Sequence, residues 1–172
     1  MPVLSAGLLL FRAAPGGAGT GPHPSPEIPA GGGVGVEVLL GHMGGPYWAR
    51  KDDGAWSIPK GEHDPDEDPR AAAEREFTEE LGSAPPAGES RELGTVPQRG
   101  GRKQITVFAR EADFDADAIT PGTFDLEWPP RSGKVRSFPE IDRAAWFGLD
   151  VARVKLVAAQ VEFLDRLAAS LS

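Results

Sequence analysis

The chain has no cysteine. That excludes disulfides, thiolate nucleophiles and cysteine-ligated zinc. It also lacks any apolar run approaching the roughly 20 residues a membrane-spanning helix needs. Positive charge is in short supply: 18 Lys and Arg face 26 Asp and Glu, for a net charge of −8. General binding to nucleic acid relies on Lys and Arg neutralising phosphates, so this balance argues against it. A small phosphorylated substrate is not excluded, because a bound metal reverses the local sign. Met1 to Arg12 lacks the basic start of a secretion signal and runs straight into a strand-like pattern. A cytoplasmic protein without a membrane partner is expected.

What is present fits an ordinary folded domain. The chain has 172 residues, 40% of them hydrophobic, which suits one domain with a normal core. Its 22 glycines and 17 prolines concentrate in loops. Ser5 to Phe11 reads as a buried strand. Ala13 to Gly33 is Gly/Pro-rich with little to bury, and is read as a loop insertion between two strands. Val34 to Leu40 is the returning strand. His42 to Gly54 is read as a loop carrying Tyr47, Trp48, Arg50 and Lys51. Trp56 to Ile58 is a short extended piece. Glu92 to Pro97 and Gln104 to Arg110 read as strands joined by a turn at Arg99-Gly100-Gly101-Arg102. Phe124 to Trp128 and Ala144 to Phe147 are further short strands. From Asp150 on, Val151, Val154, Val157, Val161, Leu164 and Leu167 predict one C-terminal helix. Strands on both sides of a central helix, followed by a closing helix, imply a mixed α/β fold.

That central helix is the most informative segment. Asp68 suits an N-cap and Pro69 the first helical position. Ala71, Ala72 and Ala73 are strong helix formers. Gly82 stands where a glycine closes a helix. Ala73, Phe77 and Leu81 form an apolar stripe. Glu76, Glu79 and Glu80 fall within a sector of about 100°, offset from that stripe. Like charges at this spacing disfavour a bare helix by a few tenths of a kcal/mol. Such a set suits a hard divalent cation, Mg²⁺ or Mn²⁺. On spacing alone, a solvated acidic face is the commoner reading of this pattern.

The wider segment resembles the Nudix hydrolase signature, G-x5-E-x7-R-E-U-x-E-E-x-G-U, where U is a bulky apolar residue. Gly61, Glu67, Arg75, Glu76, Phe77, Glu79, Glu80 and Gly82 match in register. Ser83 departs at the last position, a small packing loss after the helix. The approach Trp56-Ser57-Ile58-Pro59-Lys60-Gly61-Glu62 is similar to the W-x-x-P-K-G-x of many members. The resemblance implies an α/β/α sandwich with a mixed, curved sheet. It implies hydrolysis of a nucleoside diphosphate linked to another group, by water attack within a pyrophosphate bridge. Mg²⁺, with Mn²⁺ as a substitute, would neutralise the phosphate oxygens and lower the pKa of the water.

Carried over position by position, the resemblance assigns metal binding to Glu76, Glu79 and Glu80, with Glu80 and Glu76 foremost. A backbone carbonyl near Lys60 or Gly61 would add a ligand, since Gly61 permits close approach. Arg75 and Glu67 would be a supporting pair, the arginine orienting the glutamates. Glu67 reads equally well as an acid at the positive start of the helix. The sequence leaves the identity of the general base open. A further acidic ligand is expected from outside the motif, with Glu127 first and Glu140 second.

Lys60 is a candidate to hold a phosphate as a point charge. Arg50 is a weaker one, and Arg50, Lys51, Arg102 and Lys103 default to solvated loop charges. Trp48 has the best claim among the aromatic residues to stack on a base. His23, His42 and His63 show no metal-ligand spacing. The expected partner is a small nucleotide, a nucleoside triphosphate or dinucleoside polyphosphate before a nucleotide sugar. Homodimerisation is left open. The competing class is a catalytically silent nucleotide sensor of the same fold.

Overall fold

A computed structural model describes residues 1–15 and 35–172. The strands are β1 (Val3–Ala13), β2 (Val36–Met43), β3 (Trp56–Ser57), β4 (Lys60–His63), β5 (Ser90–Gln98), β6 (Lys103–Glu111), β7 (Thr123–Glu127), β8 (Val135–Pro139) and β9 (Ile141–Gly148). The helices are α1 (Pro69–Leu81), α2 (Leu149–Lys155) and α3 (Glu162–Ser170). Seven strands form one sheet in the order β3-β2-β1-β6-β5, with β4 pairing β1 and β9 pairing β2. The sheet is mixed, because β1 runs parallel to β6 and antiparallel to β2 and β4. β7 and β8 form a separate hairpin.

The uninterrupted apolar run in β1 shows why this strand is central. Strands covered on both faces lose hydrophobic alternation. Ala6, Leu8 and Leu10 pack with Ala72, Ala73, Phe77 and Leu81 of α1. Leu9 and Phe11 point the other way, towards Ala152, Leu156, Phe163, Leu164 and Leu167. One helix therefore covers one face of the sheet and the two C-terminal helices cover the other, which gives the expected α/β/α layering. Among the described residues no helix is long and apolar enough to cross a membrane.

Four expectations need correction. The predicted loop from His42 begins too early: His42 and Met43 belong to β2, and His42 pairs with Trp56. The His42 ring is fully buried, with Nδ1 2.8 Å from Asp142 and Nε2 2.6 Å from the Lys51 carbonyl. The sequence gives no sign of β8, because its exposed stretch Val135–Ser137 has no burial pattern to read. The single C-terminal helix is divided. Leu156 is extended, at φ −64° and ψ 147°, and Val157 N–H donates to the Trp56 carbonyl at 2.9 Å. Gln160 then accepts from Ile58 N–H at 2.8 Å. These tertiary bonds outcompete one helical turn, and they leave Val151 and Val154 exposed while Ala152 and Leu156 turn inward. Finally, β2 starts at Val36, with Val34 outside the described residues. The insertion expected over 13–33 also lies outside them beyond residue 15.

Candidate functional site

The helix that carries the carboxylates is built as its sequence requires. Asp68 accepts from Ala71 N–H at 3.1 Å, Pro69 follows it, and Gly82 closes the helix at φ 82° with its N–H bonded to the Thr78 carbonyl at 2.8 Å. Ala72, Ala73, Phe77 and Leu81 are wholly buried against the sheet. Packing of that face fixes the rotation of the helix. Glu76 and Glu80 are thereby turned towards β4, while Glu79 stays half exposed.

β4 receives them through its backbone. Glu80 Oε2 accepts Lys60 N–H at 3.1 Å. A Cβ on Gly61 would lie 2.0 Å from the Glu76 carboxyl carbon, so only glycine leaves room for that carboxylate. The Gly61 carbonyl, a candidate ligand, accepts a hydrogen bond from Ser5 Oγ at 2.9 Å. Nothing in the sequence marked Ser5 for this contact, which depends on the pairing of β1 with β4.

Arg75 is the organiser. Its guanidinium forms a two-pronged pair with Glu67, at 2.9 and 3.0 Å, and reaches Glu76 at 2.7 Å and Glu79 at 3.3 Å. These contacts raise Arg75 above its ordinary range, and Arg75 lowers Glu67. Of the two sequence readings of Glu67, the two-pronged geometry favours the partner of Arg75.

Glu140, rather than Glu127, is brought to this group. Gly122 N–H donates to the Glu79 carbonyl at 3.0 Å, Glu140 N–H to the Gly122 carbonyl at 2.8 Å, and Gly44 N–H to the Glu140 carbonyl at 2.9 Å. The root of the β7–β8 hairpin is thus pinned to the end of α1. Glu127 lies exposed, opposite Val135, without an ion pair among the described residues. The only sequence signal for Glu140 was that it is an acid following the motif.

The electrostatics follow first from burial and then from neighbouring carboxylates. Burial pushes Glu80 up to about 8, against the opposing pull of Lys60 N–H and the Lys60 ammonium. Glu76 is raised by burial, with Arg75 opposing and Glu79 adding to the rise. Glu140 is raised by partial desolvation and then by Glu79. Among the described residues no three His, Asp or Glu side chains converge closely enough to enclose a cation. The donor chemistry nevertheless fits a hard divalent ion, because these are carboxylate oxygens whose mutual repulsion such an ion would relieve. The space that glycine leaves at position 61 brings Glu76 onto the β4 backbone beside Glu80.

The candidate substrate residues are dispersed. Trp48 is half-buried against the core, with the Lys51 ammonium 5.0 Å from its ring centroid. Arg50 is exposed, with no ion pair among the described residues. Trp56 belongs to the core, its Nε1–H donating to Asp52. Tyr47 is exposed and meets Trp128 edge-on at 5.3 Å. Lys60 lies on the sheet face opposite α1, because it pairs with Gly7 while the neighbouring Ala6 and Leu8 face the helix.

The NUDIX domain family model matches residues 31–167. No curated protein matches the chain. Among solved structures, a C. elegans Ap4A hydrolase binary complex superposes with a TM-score of 0.57 at 20% identity, covering 97% of each chain. A mutT/nudix family protein from Listeria innocua gives 0.58 at 16% identity, over 99% of this chain and 95% of that one. The NUDIX domain of Shewanella oneidensis NrtR, complexed with ADP ribose, gives 0.55 at 16% identity, over 100% and 90%. Identities this low establish the fold alone.

Proposed function

The chain belongs to the NUDIX domain family, and from that premise we propose that it is a Mg²⁺-dependent pyrophosphohydrolase acting on a nucleoside diphosphate derivative. The observation that carries the reading is the joining of Glu76 and Glu80 to the β4 backbone, one over Gly61 and the other on Lys60 N–H.

Glu76, Glu79 and Glu80, joined by Glu140, would hold the divalent ion. When bound, that ion supplies charge neutralisation at the phosphate oxygens and lowers the pKa of the attacking water. The protein's own groups do the rest. Arg75 holds Glu76 through a short, charge-assisted hydrogen bond of 2.7 Å and reaches Glu79 more loosely at 3.3 Å. Glu67 holds Arg75. A carboxylate of the group, one not occupied as a ligand, accepts the proton of the attacking water. Lys60 meets the negative charge of the substrate from the far side of β4.

Nucleoside triphosphates and dinucleoside polyphosphates are the favoured substrates, on the Trp56-Ser57-Ile58-Pro59-Lys60-Gly61-Glu62 approach. The test is a panel with Mg²⁺ that contains nucleoside triphosphates, Ap4A, ADP-ribose and nucleotide sugars, assayed for phosphate-containing products. Turnover of one or more compounds, abolished by EDTA, is expected. Tight nucleotide binding without turnover on any compound would instead identify a sensor and end the hydrolase reading.

A further inference from the structure

The β7–β8 hairpin is an arm with two unlike faces. Residues paired across an antiparallel ladder share a face, and neighbours along a strand alternate. Asp125 and Glu127 stand exposed on one face, opposite Ser137 and Val135. Phe124 and Leu126 stand half-buried on the other, opposite Phe138 and Arg136. The carboxylates of the arm therefore point away from its aromatic and cationic side.

That second side faces the loop that follows β2. The Phe124 ring lies 2.9 Å from the place of a Cβ on Gly45, which sits at φ 93°, so the loop is seated directly against the arm. Trp128, two residues beyond Leu126, meets Tyr47 of the same loop edge-on, with ring centroids 5.3 Å apart. Tyr47 is nevertheless 58% exposed. An edge-on pair leaves at least one face of each ring open, and a flat ring stacks favourably there. Arg136 is exposed and makes no ion pair or side-chain hydrogen bond among the described residues.

The loop and the arm both start at the carboxylates. Gly44 N–H, where the loop begins, donates to the Glu140 carbonyl at 2.9 Å. Glu140 N–H donates to the Gly122 carbonyl at 2.8 Å, and Gly122 N–H to the Glu79 carbonyl at 3.0 Å. Outward from Glu140, the arm presents first Arg136 and then Trp128 with Tyr47 against it. The order is acid cluster, cation, aromatic pair. A nucleoside polyphosphate has the matching order: a phosphate for the metal ligands, a further phosphate, and the base at the far end. The geometry points to the arm and residues 44–48 as the nucleoside-binding element, with Tyr47 stacking on the base and Arg136 holding a phosphate between the base and the carboxylates. The assignment rests on the pyrophosphohydrolase reading above for the phosphate at the carboxylates, but the hold on the base is measured without turnover.

The experiment is calorimetric titration in excess Mg²⁺ with the β,γ-imido analogues of ATP and GTP, and with inorganic tripolyphosphate as a probe that lacks a base. The wild-type protein is expected to bind at least one analogue. Tyr47→Ala should weaken that binding by about tenfold or more, the effect of one lost base–aromatic stack, and leave tripolyphosphate binding unchanged. Tyr47→Phe should restore the affinity. Arg136→Met should weaken both probes by about tenfold, the effect of one lost charge-assisted contact. Arg153→Met, which removes one positive charge on α2, should bind both as wild type does. Failure of the wild-type protein to bind either analogue, equal losses for analogue and tripolyphosphate in Tyr47→Ala, or wild-type affinity in Tyr47→Ala or Arg136→Met overturns the inference. The two readings fail separately. Turnover of a panel nucleotide with KM unchanged in Tyr47→Ala and Arg136→Met removes the arm from the substrate and leaves the hydrolase. Analogue binding that depends on Tyr47, with no turnover of any panel compound, removes the hydrolase and leaves the nucleoside site.

Discussion

The Glu76 carboxylate occupies the place where a side chain on Gly61 would begin, 2.0 Å from the position of that missing Cβ. The contact joins residues on two different elements, β4 and α1. It converts a gap in the sequence signature, a bare glycine, into the seat of the Glu76 carboxylate.

Gly61→Ala should therefore displace Glu76 without unfolding the protein, since the backbone at position 61 is not in the left-handed region. A misplacement of about 1 Å can cost about a hundredfold in rate. We expect a loss of that order in kcat, with a melting temperature close to wild type. Wild-type kcat in a correctly folded Gly61→Ala variant would show that Glu76 has no part in the reaction.

Glu80→Gln keeps the shape and hydrogen-bonding capacity of the side chain but removes its charge. Turnover should fall by orders of magnitude, about a hundredfold or more, as when one group that stabilises transition-state charge is lost. Circular dichroism should remain unchanged. Near-native rates on an identified substrate would remove Glu80 from the metal site.

Glu140 and Glu127 separate cleanly. Glu140 sits beside Glu79 at the hairpin root, and Glu127 does not. Glu140→Gln should lower kcat by about tenfold or more, whereas Glu127→Gln should change it less than twofold. Paired steady-state assays of the two variants decide this, and the reverse ranking would return Glu127 to the site.

Stability should depend on pH and on Mg²⁺ in a linked way. Glu80 stands at about 8 in the folded protein, above its ordinary 4.5, and Glu76 and Glu140 are raised as well. A carboxyl group raised on folding binds more protons in the native state. Its contribution is complete at low pH and is lost as pH rises through the folded value. In EDTA the melting temperature should therefore fall from about pH 5 to pH 8, by about 3 °C for each kcal/mol lost. Excess Mg²⁺, which binds the ionised form, should flatten that decline. Thermal melts that rise or stay level across this window in EDTA would contradict the burial described for the carboxylates.

The features legible in advance were the local ones. Asp68, Pro69 and Gly82 fix the limits of α1 through groups within four residues of one another, and Ala73, Phe77 and Leu81 show its buried side by spacing alone. The apolar run through Leu8, Leu9 and Leu10 marks a buried strand. What escaped was decided by partners far along the chain. The C-terminal periodicity looked continuous, yet Trp56 and Ile58 draw Val157 and Gln160 out of one helix. His42 read as the start of a loop, but Asp142 and the Lys51 carbonyl hold its ring inside the protein. Arg50 and Trp48 are near the motif in sequence, yet Arg50 stands exposed and Trp48 packs half-buried against the core.

The sequence by itself determined the family, the acidic helix and the three glutamates on it, because capping, helical spacing and a motif are short-range properties of a chain. The tertiary structure alone decided which backbone those glutamates meet and which outside acid lies beside them. Those choices depend on strand register and on the packing of α1, and register is set by side chains that are distant along the chain and adjacent in space.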